Sequence, residues 1–194
     1  EEAAALPVSF LTAWVALHGM ARVRAGDRVL VHGAAGGVGT AAVQVAARAG
    51  ARVVGLVGSL PKAELVLSLG AAEAFTRDGW ESRTPAADGR EFDIILDPRG
   101  GAALRGSMAR LAEGGRLVCH GVSALAPGLR RSIPRVLLGL ARTPLLTPIG
   151  LAMRNQGIFG LNLLRLFDTE AGRGILGSAL DSVLAAAGAG GLRV

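Results

Sequence analysis

The sequence predicts an α/β fold, a doubly wound parallel sheet that forms a single domain. Three observations lead to this prediction. An apolar stretch at 28–32 enters a glycine-rich turn and then an alanine-rich helix over 38–49. Strand-like and helix-like stretches then alternate along the chain, as in repeated strand–helix units. The 194 residues suffice for one well-buried domain and are few for two, and they contain no internal repeat.

Each predicted element has a local reason. Strands are short, apolar and bounded by Gly, Pro or polar residues, and FDIILD is mostly apolar, as buried parallel strands are. We expect strands at 28–32, 51–57, 71–76, 92–97, 116–121 and 157–162. We expect helices at about 8–22, at 38–49, from Pro61 in a first turn, at 102–112 and at about 170–187. Residues 77–91 are polar, contain Gly and Pro, and read as a loop.

The glycine turn is the clearest functional signal. In RVLVHGAAGGVGT, Ala34, Gly36 and Gly39 give the spacing A-x-G-x-x-G between a strand and a helix. That arrangement, typical of the Rossmann fold, directs backbone N–H groups and a helix N-terminus at a pyrophosphate. Gly36 would let the phosphate approach the backbone, and Gly39 would let the helix lie close to the strand. A glycine triad alone is common in loops, and the flanking strand and helix strengthen it.

The end of the second strand discriminates between cofactors. An Asp or Glu there would bind the ribose 2′-OH of NAD, but residues 51–63 contain no acid. They offer Gly58, the hydroxyl of Ser59, and Lys62, which is the only lysine in the chain. A cation without a carboxylate favours a 2′-phosphate and therefore NADP(H) over NAD. The alternative is that Lys62 is an ordinary solvated lysine on a helix.

The composition excludes several classes. Apolar residues make up 51% of the chain, which fits either a membrane segment or an apolar face that is covered. Arginines and prolines interrupt the apolar stretch 133–168, so no spanning helix is expected. The net charge of +6 comes from scattered arginines, and with 4% aromatic residues and no Tyr we expect no nucleic-acid partner.

The cysteine count and the N-terminus set further limits. One cysteine, Cys119, excludes an internal disulfide and a multi-cysteine zinc site, and its apolar surroundings indicate a buried, inert thiol. The N-terminal segment is acidic where a signal peptide would be basic, so we expect a cytoplasmic protein.

The chain as a whole resembles a known family. The segments VSFLTAW, VHGAAGGVGT, FDIILDPRGG, LAEGGRLVCHG and NQGIFGLNLLRLFD follow one another in order. This series is similar to the zinc-independent quinone oxidoreductases of the medium-chain dehydrogenase/reductase superfamily. Among these, it most resembles the subgroup that contains the synaptic vesicle amine transport protein.

The resemblance implies a set of cofactor contacts. It places Ala35, Gly36, Gly37 and Val38 at the pyrophosphate and Gly58, Ser59 and Lys62 at the 2′-phosphate. Arg77 stands where many relatives have Tyr against the adenosine, and it could instead touch the phosphate. The resemblance places Thr12, His120, Gly121, Val122, Phe159 and Gly160 at the nicotinamide end.

Departures from related patterns narrow the family. Polyketide-synthase enoyl reductases usually carry Lys where this chain has Val122, which weighs against that subgroup. Zinc alcohol dehydrogenases use several Cys and His ligands that this sequence does not offer, so we expect no metal. His18 and His32 are expected to be packed, and His120 is either near a substrate or a hydrogen-bonded scaffold residue. Asp97, before Pro and Gly, is expected to organise a turn, so no catalytic residue is assigned.

The resemblance also sets the expected domain organisation and function. Relatives begin with a GroES-like substrate domain that is missing here. Residues 1–24 would be a connecting helix and 25–194 the NADP(H)-binding Rossmann domain, truncated before the return. Phe10, Leu11 and 133–154 would face the missing domain or a second subunit.

The implied activity is hydride transfer from NADPH to a quinone or enone, in a homodimer when full-length. The isolated fragment would mainly bind the cofactor. The alternative is a non-catalytic NADP-binding or membrane-surface interaction protein of the vesicle type. An enoyl reductase domain of a polyketide or fatty-acid synthase is the third interpretation.

Overall fold

The sheet is parallel throughout the part of the chain that the structure describes. The computed structural model describes residues 2–78, 80, 92–101, 103–121 and 144–193. In these ranges the strands are β1 Arg28–His32, β2 Arg52–Val57, β3 Glu73–Thr76, β4 Phe92–Asp97, β5 Leu111–Cys119 and β6 Gly157–Gly160. Their order is β3-β2-β1-β4-β5-β6, and every neighbouring pair is parallel. The predicted doubly wound sheet is confirmed.

The helices cover both faces of the sheet. They are α1 Glu2–Trp14, continued by a π-helical segment Val15–Met20, α2 Gly37–Arg48, α3 Pro61–Ser68, α4 Ala103–Ala109, α5 Pro148–Ala152, α6 Leu163–Leu166 and α7 Glu170–Gly188. The short helices α5 and α6 were not expected from the sequence. Thr147 and Thr169 cap α5 and α7, each hydroxyl accepting a 3.0 Å bond from the amide of a glycine three residues later.

The junction between α4 and β5 differs from the prediction. The helix was expected to reach residue 112, yet it ends at Ala109 and β5 begins at Leu111. Phe92 pairs with Leu111 while Ile94 pairs with Arg116, so an irregularity in register absorbs the residues between them. Gly114, at φ 72°, makes that irregularity possible. Leu111 and Ala112, which the sequence placed at the end of the helix, therefore belong to β5.

Phe10 and Leu11 correct an expectation. They were expected to face a missing domain or a second subunit, but they are only 4% and 5% exposed, within the core of the described chain. The reason is that α1 packs against α2 and α7. This helix is therefore part of the packed domain. Val8 on the same helix is 59% exposed and lies at the cleft described below.

The strand order locates the place where a ligand can bind. After β1 the chain turns to β2 on one side, and it later returns to β4 on the other side. In open α/β sheets ligands bind beyond the carboxyl ends of the strands at such a reversal. In the described ranges no helix is both long and apolar enough to span a membrane.

Candidate functional site

The glycine turn leaves the start of α2 open. Gly33 has φ 65°, a conformation that glycine adopts without strain. The amide of Gly36 donates to the carbonyl oxygen of Gly33 at 2.8 Å, and α2 begins at the next residue. Among the described residues no side chain caps this helix, and both Gly36 and Gly37 are exposed. The backbone N–H groups of its first turn are thus left uncapped, which is the state in which a helix N-terminus can bind an anion.

Gly39 has a more local role than the one predicted. A Cβ at this position would collide with the carbonyl oxygen of Gly33 and would lie 2.8 Å from the Cα of Ala34. The glycine therefore lets α2 approach the turn itself rather than the strand. Ala34 is fully buried, and its amide donates to the carbonyl oxygen of Leu56 at 2.9 Å. This bond ties the turn to β2.

The carboxyl end of β2 gathers the predicted adenine-end residues. The amide of Lys62 donates to the carbonyl oxygen of Ser59 at 3.1 Å, in the turn that opens α3. Arg77 follows β3, and its guanidinium Nη2 lies 3.7 Å from the point where a Cβ on Gly58 would stand. Lys62 and Arg77 are exposed, and neither makes an ion pair with the part of the chain that the structure describes. Both cations remain open to an anion.

A cleft lies at the carboxyl ends of β5 and β6. Its volume is about 630 Å³, and it contains four of the residues predicted at the nicotinamide end: Thr12, His120, Gly121 and Gly160. Thr12 is 6% exposed, and its hydroxyl donates to the carbonyl oxygen of Val8 at 2.6 Å, so the hydroxyl oxygen can still accept. Most other lining side chains are apolar, among them Leu104, Leu161, Leu163 and Leu164.

One residue predicted at the nicotinamide end lies outside this cleft, and another is not among the described residues. Phe159 lines a different cavity, of about 430 Å³, together with Gly19, Met20 and Arg116. Side chains alternate along a strand, so Phe159 and Gly160 cannot both face the cleft. Val122 lies outside the described residues, so the structure does not test the contrast with the lysine of polyketide-synthase enoyl reductases at this position.

Asp97 organises the turn after β4, as its sequence context predicted. It is fully buried, and its Oδ1 accepts bonds from the amides of Arg99 at 2.7 Å and Gly100 at 3.2 Å. Its backbone oxygen accepts from the amide of His120 at 3.2 Å, which links this turn to the one after β5. His32 is 2% exposed and packed, as expected.

Burial sets the protonation of the cleft residues. Desolvation lowers the pKa of His120 from its ordinary value, and the charge of Asp97 opposes this shift only in part. Desolvation first, and Asp97 second, raise the pKa of the Cys119 thiol to about 11. The imidazole is therefore held towards its neutral form, and the thiol stays protonated at neutral pH.

Two residues of this region were missed by sequence reasoning. Asn162 lines the cleft and precedes α6, and its side chain makes no capping bond to that helix. Ser107 lies buried on α4 and contacts Asp97 and His32. An Asn before LLRL looks like an ordinary helix cap, and a lone Ser in a helix gives no signal at all.

The family comparison agrees with this geometry. A family model described as "Zinc-binding dehydrogenase" matches residues 37–143, more than half of the chain. Within the described residues no group of three His, Cys, Asp or Glu side chains could hold a metal ion.

Known proteins resemble the chain over part of their length. A mycocerosic acid synthase-like polyketide synthase of Mycolicibacterium smegmatis is 38% identical over 125 residues, 60% of this chain and 6% of that protein. The quinone oxidoreductase of Thermus thermophilus, solved also with NADPH, is 38% identical with a TM-score of 0.71, over 95% of this chain and 52% of that one. The CurK enoyl reductase is 28% identical with a TM-score of 0.75, over 100% and 53%.

Proposed function

Because the chain belongs to the zinc-binding dehydrogenase family, we propose that it is the cofactor-binding part of an NADPH-dependent oxidoreductase. Its acceptor would be a double bond conjugated to a carbonyl group, in an enone, an enoyl group or a quinone. Two of the similar solved proteins are named as a quinone oxidoreductase and an enoyl reductase, and the two acceptors share that conjugation. The chain spans about half of the length of each of these solved relatives.

The adenine end is the observation that carries the choice of NADPH. Arg77 reaches the side of Gly58 while Lys62 lies in the turn with Ser59, so two cations and a hydroxyl surround one exposed loop. A 2′-phosphate offers oxygens that both cations can bind, and such charge-assisted bonds are stronger than neutral ones. A ribose 2′-OH would instead need a carboxylate, which the loop does not contain.

The cleft supports the acceptor class. Once bound, NADPH would supply the hydride. The leucines of the cleft would give a bound nicotinamide and acceptor an apolar surface, and the few polar residues, Thr12, His120 and Asn162, would orient them. Reduction of a conjugated bond in such a site depends mainly on positioning.

A titration with a charge reversal tests the cofactor. Lys62→Glu is expected to weaken NADPH binding by about tenfold or more, and NADH binding by less than about threefold, because only NADPH carries the 2′-phosphate. Arg154→Glu is the matched control: this exposed arginine precedes β6, so it lies at the opposite end of the strands. Equal weakening of both cofactors by Lys62→Glu would remove the basis for NADPH.

A panel of acceptors tests the reaction. NADPH should be oxidised faster by an enone or a quinone than by the saturated ketone of matched carbon skeleton. Preference for the saturated ketone would contradict the proposed acceptor class.

Exposed apolar residues favour one second candidate function. Leu145, Ile149 and Met153 are 92%, 77% and 80% exposed, on and around α5, and Arg154 follows them. Such a face could lie on an anionic membrane surface. Co-sedimentation with anionic but not neutral liposomes, independent of NADPH, would support this function. No co-sedimentation with either would exclude it.

A further inference from the structure

A buried network of three polar side chains lies at the carboxyl end of the sheet. His32 Nε2 lies 3.0 Å from Ser107 Oγ, and that hydroxyl donates to Asp97 Oδ2 at 3.1 Å. The other carboxylate oxygen accepts the amides of Arg99 and Gly100. The three side chains are between 0% and 2% exposed, and the indole of Trp80 packs edge-on against His32 with ring centroids 5.2 Å apart.

The two outer residues of this network, His32 and Asp97, lie next to different parts of the proposed cofactor site. His32 ends β1, and the next residue is Gly33 of the glycine turn, where the pyrophosphate is proposed to bind. Asp97 ends β4 and holds the turn that contributes Gly100 and Gly101 to the cleft. The network therefore connects the start of the phosphate-binding turn with the wall of the nicotinamide end.

The turn after β5 also contacts the turn that Asp97 holds. A Cβ on Gly121 would lie 2.7 Å from the carbonyl oxygen of Pro98, so the turns after β4 and β5 touch through their backbones. The amide of His120 also donates to the backbone oxygen of Asp97. A shift of the 97–101 turn would therefore displace His120 and Gly121, both of which line the cleft.

Burying three polar side chains is costly unless each one is hydrogen-bonded. Apolar side chains of similar size would fill the same space. The network adds direction, because a hydroxyl between an imidazole and a carboxylate fixes the position of each. Ser107 Oγ also lies 3.3 Å from the carbonyl oxygen of Ala103, a bond confined to its own helix that would have no such effect.

We propose that Ser107 and His32 are positioning residues, which act through Asp97 to hold the nicotinamide end of the cofactor site in register with the glycine turn. The inference rests on the proposed binding of NADPH. Neither side chain lines the cleft, so both act on the ligand only through the turns that Asp97 holds.

Binding of a whole cofactor and of its adenine half separates this role from general stability. The probes are NADPH and adenosine 2′,5′-bisphosphate, titrated calorimetrically into the chain at a temperature where every variant is folded. The variants are Ser107→Ala, His32→Leu and His32→Gln, whose amide can donate where the imidazole Nε2 lies. Val183→Ala, which removes buried core volume on α7 away from the site, is the control for lost stability.

Ser107→Ala and His32→Leu should weaken NADPH binding by about tenfold. Binding of adenosine 2′,5′-bisphosphate should change less than about twofold, and His32→Gln should recover most of the loss. Unchanged NADPH binding in both variants, equal weakening of the two probes, or the same pattern in Val183→Ala would overturn the positioning role. If the unsubstituted chain binds neither probe, the proposed function itself fails.

Discussion

The backbone amide of Arg77 donates a 3.0 Å hydrogen bond to the carbonyl oxygen of Val57, the last residue of β2. This bond extends the pairing of β2 with β3 by one residue. It brings the guanidinium to Gly58, although the two residues lie far apart in the sequence. The position of the arginine is therefore set by backbone pairing, and its side chain is left for a ligand.

Replacing this side chain should affect one cofactor. Arg77→Leu keeps the backbone bond but removes the cation, so we expect NADPH affinity to fall by about tenfold and NADH affinity to stay within about twofold. Fluorescence titration of the two reduced cofactors measures this, with Arg154→Leu as the control. An unchanged affinity for NADPH in Arg77→Leu would mean that Arg77 does not contact the 2′-phosphate.

The glycine turn gives a prediction for stability. Gly39→Ala forces a Cβ against Gly33 and Ala34, so it should cost about 1–3 kcal/mol and abolish measurable NADPH binding. Gly177→Ala is the matched control, since Gly177 is an exposed glycine in α7 with open space around it. It should stabilise the chain by about 0.5–1 kcal/mol. Urea unfolding of both variants measures the difference. A Gly39→Ala variant as stable as the parent chain would contradict the close approach.

The sequence predicted what depends on local pattern. The strand at 28–32, the turn at Gly33 and the helix after it are where the pattern placed them, because apolar periodicity and glycine spacing act over a few residues. The burial of Phe10 was not predictable from local pattern, since α1 packs against both α2 and α7, and α7 comes from the far end of the chain. Ser107 was missed for a similar reason: it lies on α4, and its partners His32 and Asp97 come from β1 and β4.

Cys119 should be a slow nucleophile although it lines the cleft. With its pKa raised to about 11 from 9.0, the thiolate fraction at pH 8 is about a hundredfold smaller than for an unperturbed thiol. Iodoacetamide should modify it correspondingly slowly, with a rate that rises with pH well above pH 9. Mass spectrometry reads this directly because the chain has one cysteine, and the urea-unfolded chain is the control. Equal rates in the folded and unfolded chains would contradict the raised pKa of this half-buried thiol.

The histidines predict a loss of stability in mild acid. Burial lowers the pKa of His120, and also that of His18, from the ordinary value of 6.5. Below about pH 6.5 these imidazoles are protonated in the unfolded chain but still neutral in the folded chain. The free energy of unfolding therefore falls as the pH drops from 6.5 towards the lowered pKa values of the folded state. Comparing unfolding free energies at pH 7.5 and pH 5.5 should show a smaller drop for His120→Gln and for His18→Gln. A drop as large as in the parent chain would show that these imidazoles are not responsible.

The most direct test of the account is the ratio of the dissociation constants of NADH and NADPH for the unsubstituted chain, measured in one buffer at one ionic strength. The loop between β2 and α3 holds Ser59 and Lys62, contains no acid and has Arg77 beside it, so NADPH should bind at least about tenfold more tightly. A ratio near one, or tighter binding of NADH, would contradict the proposed preference for NADPH.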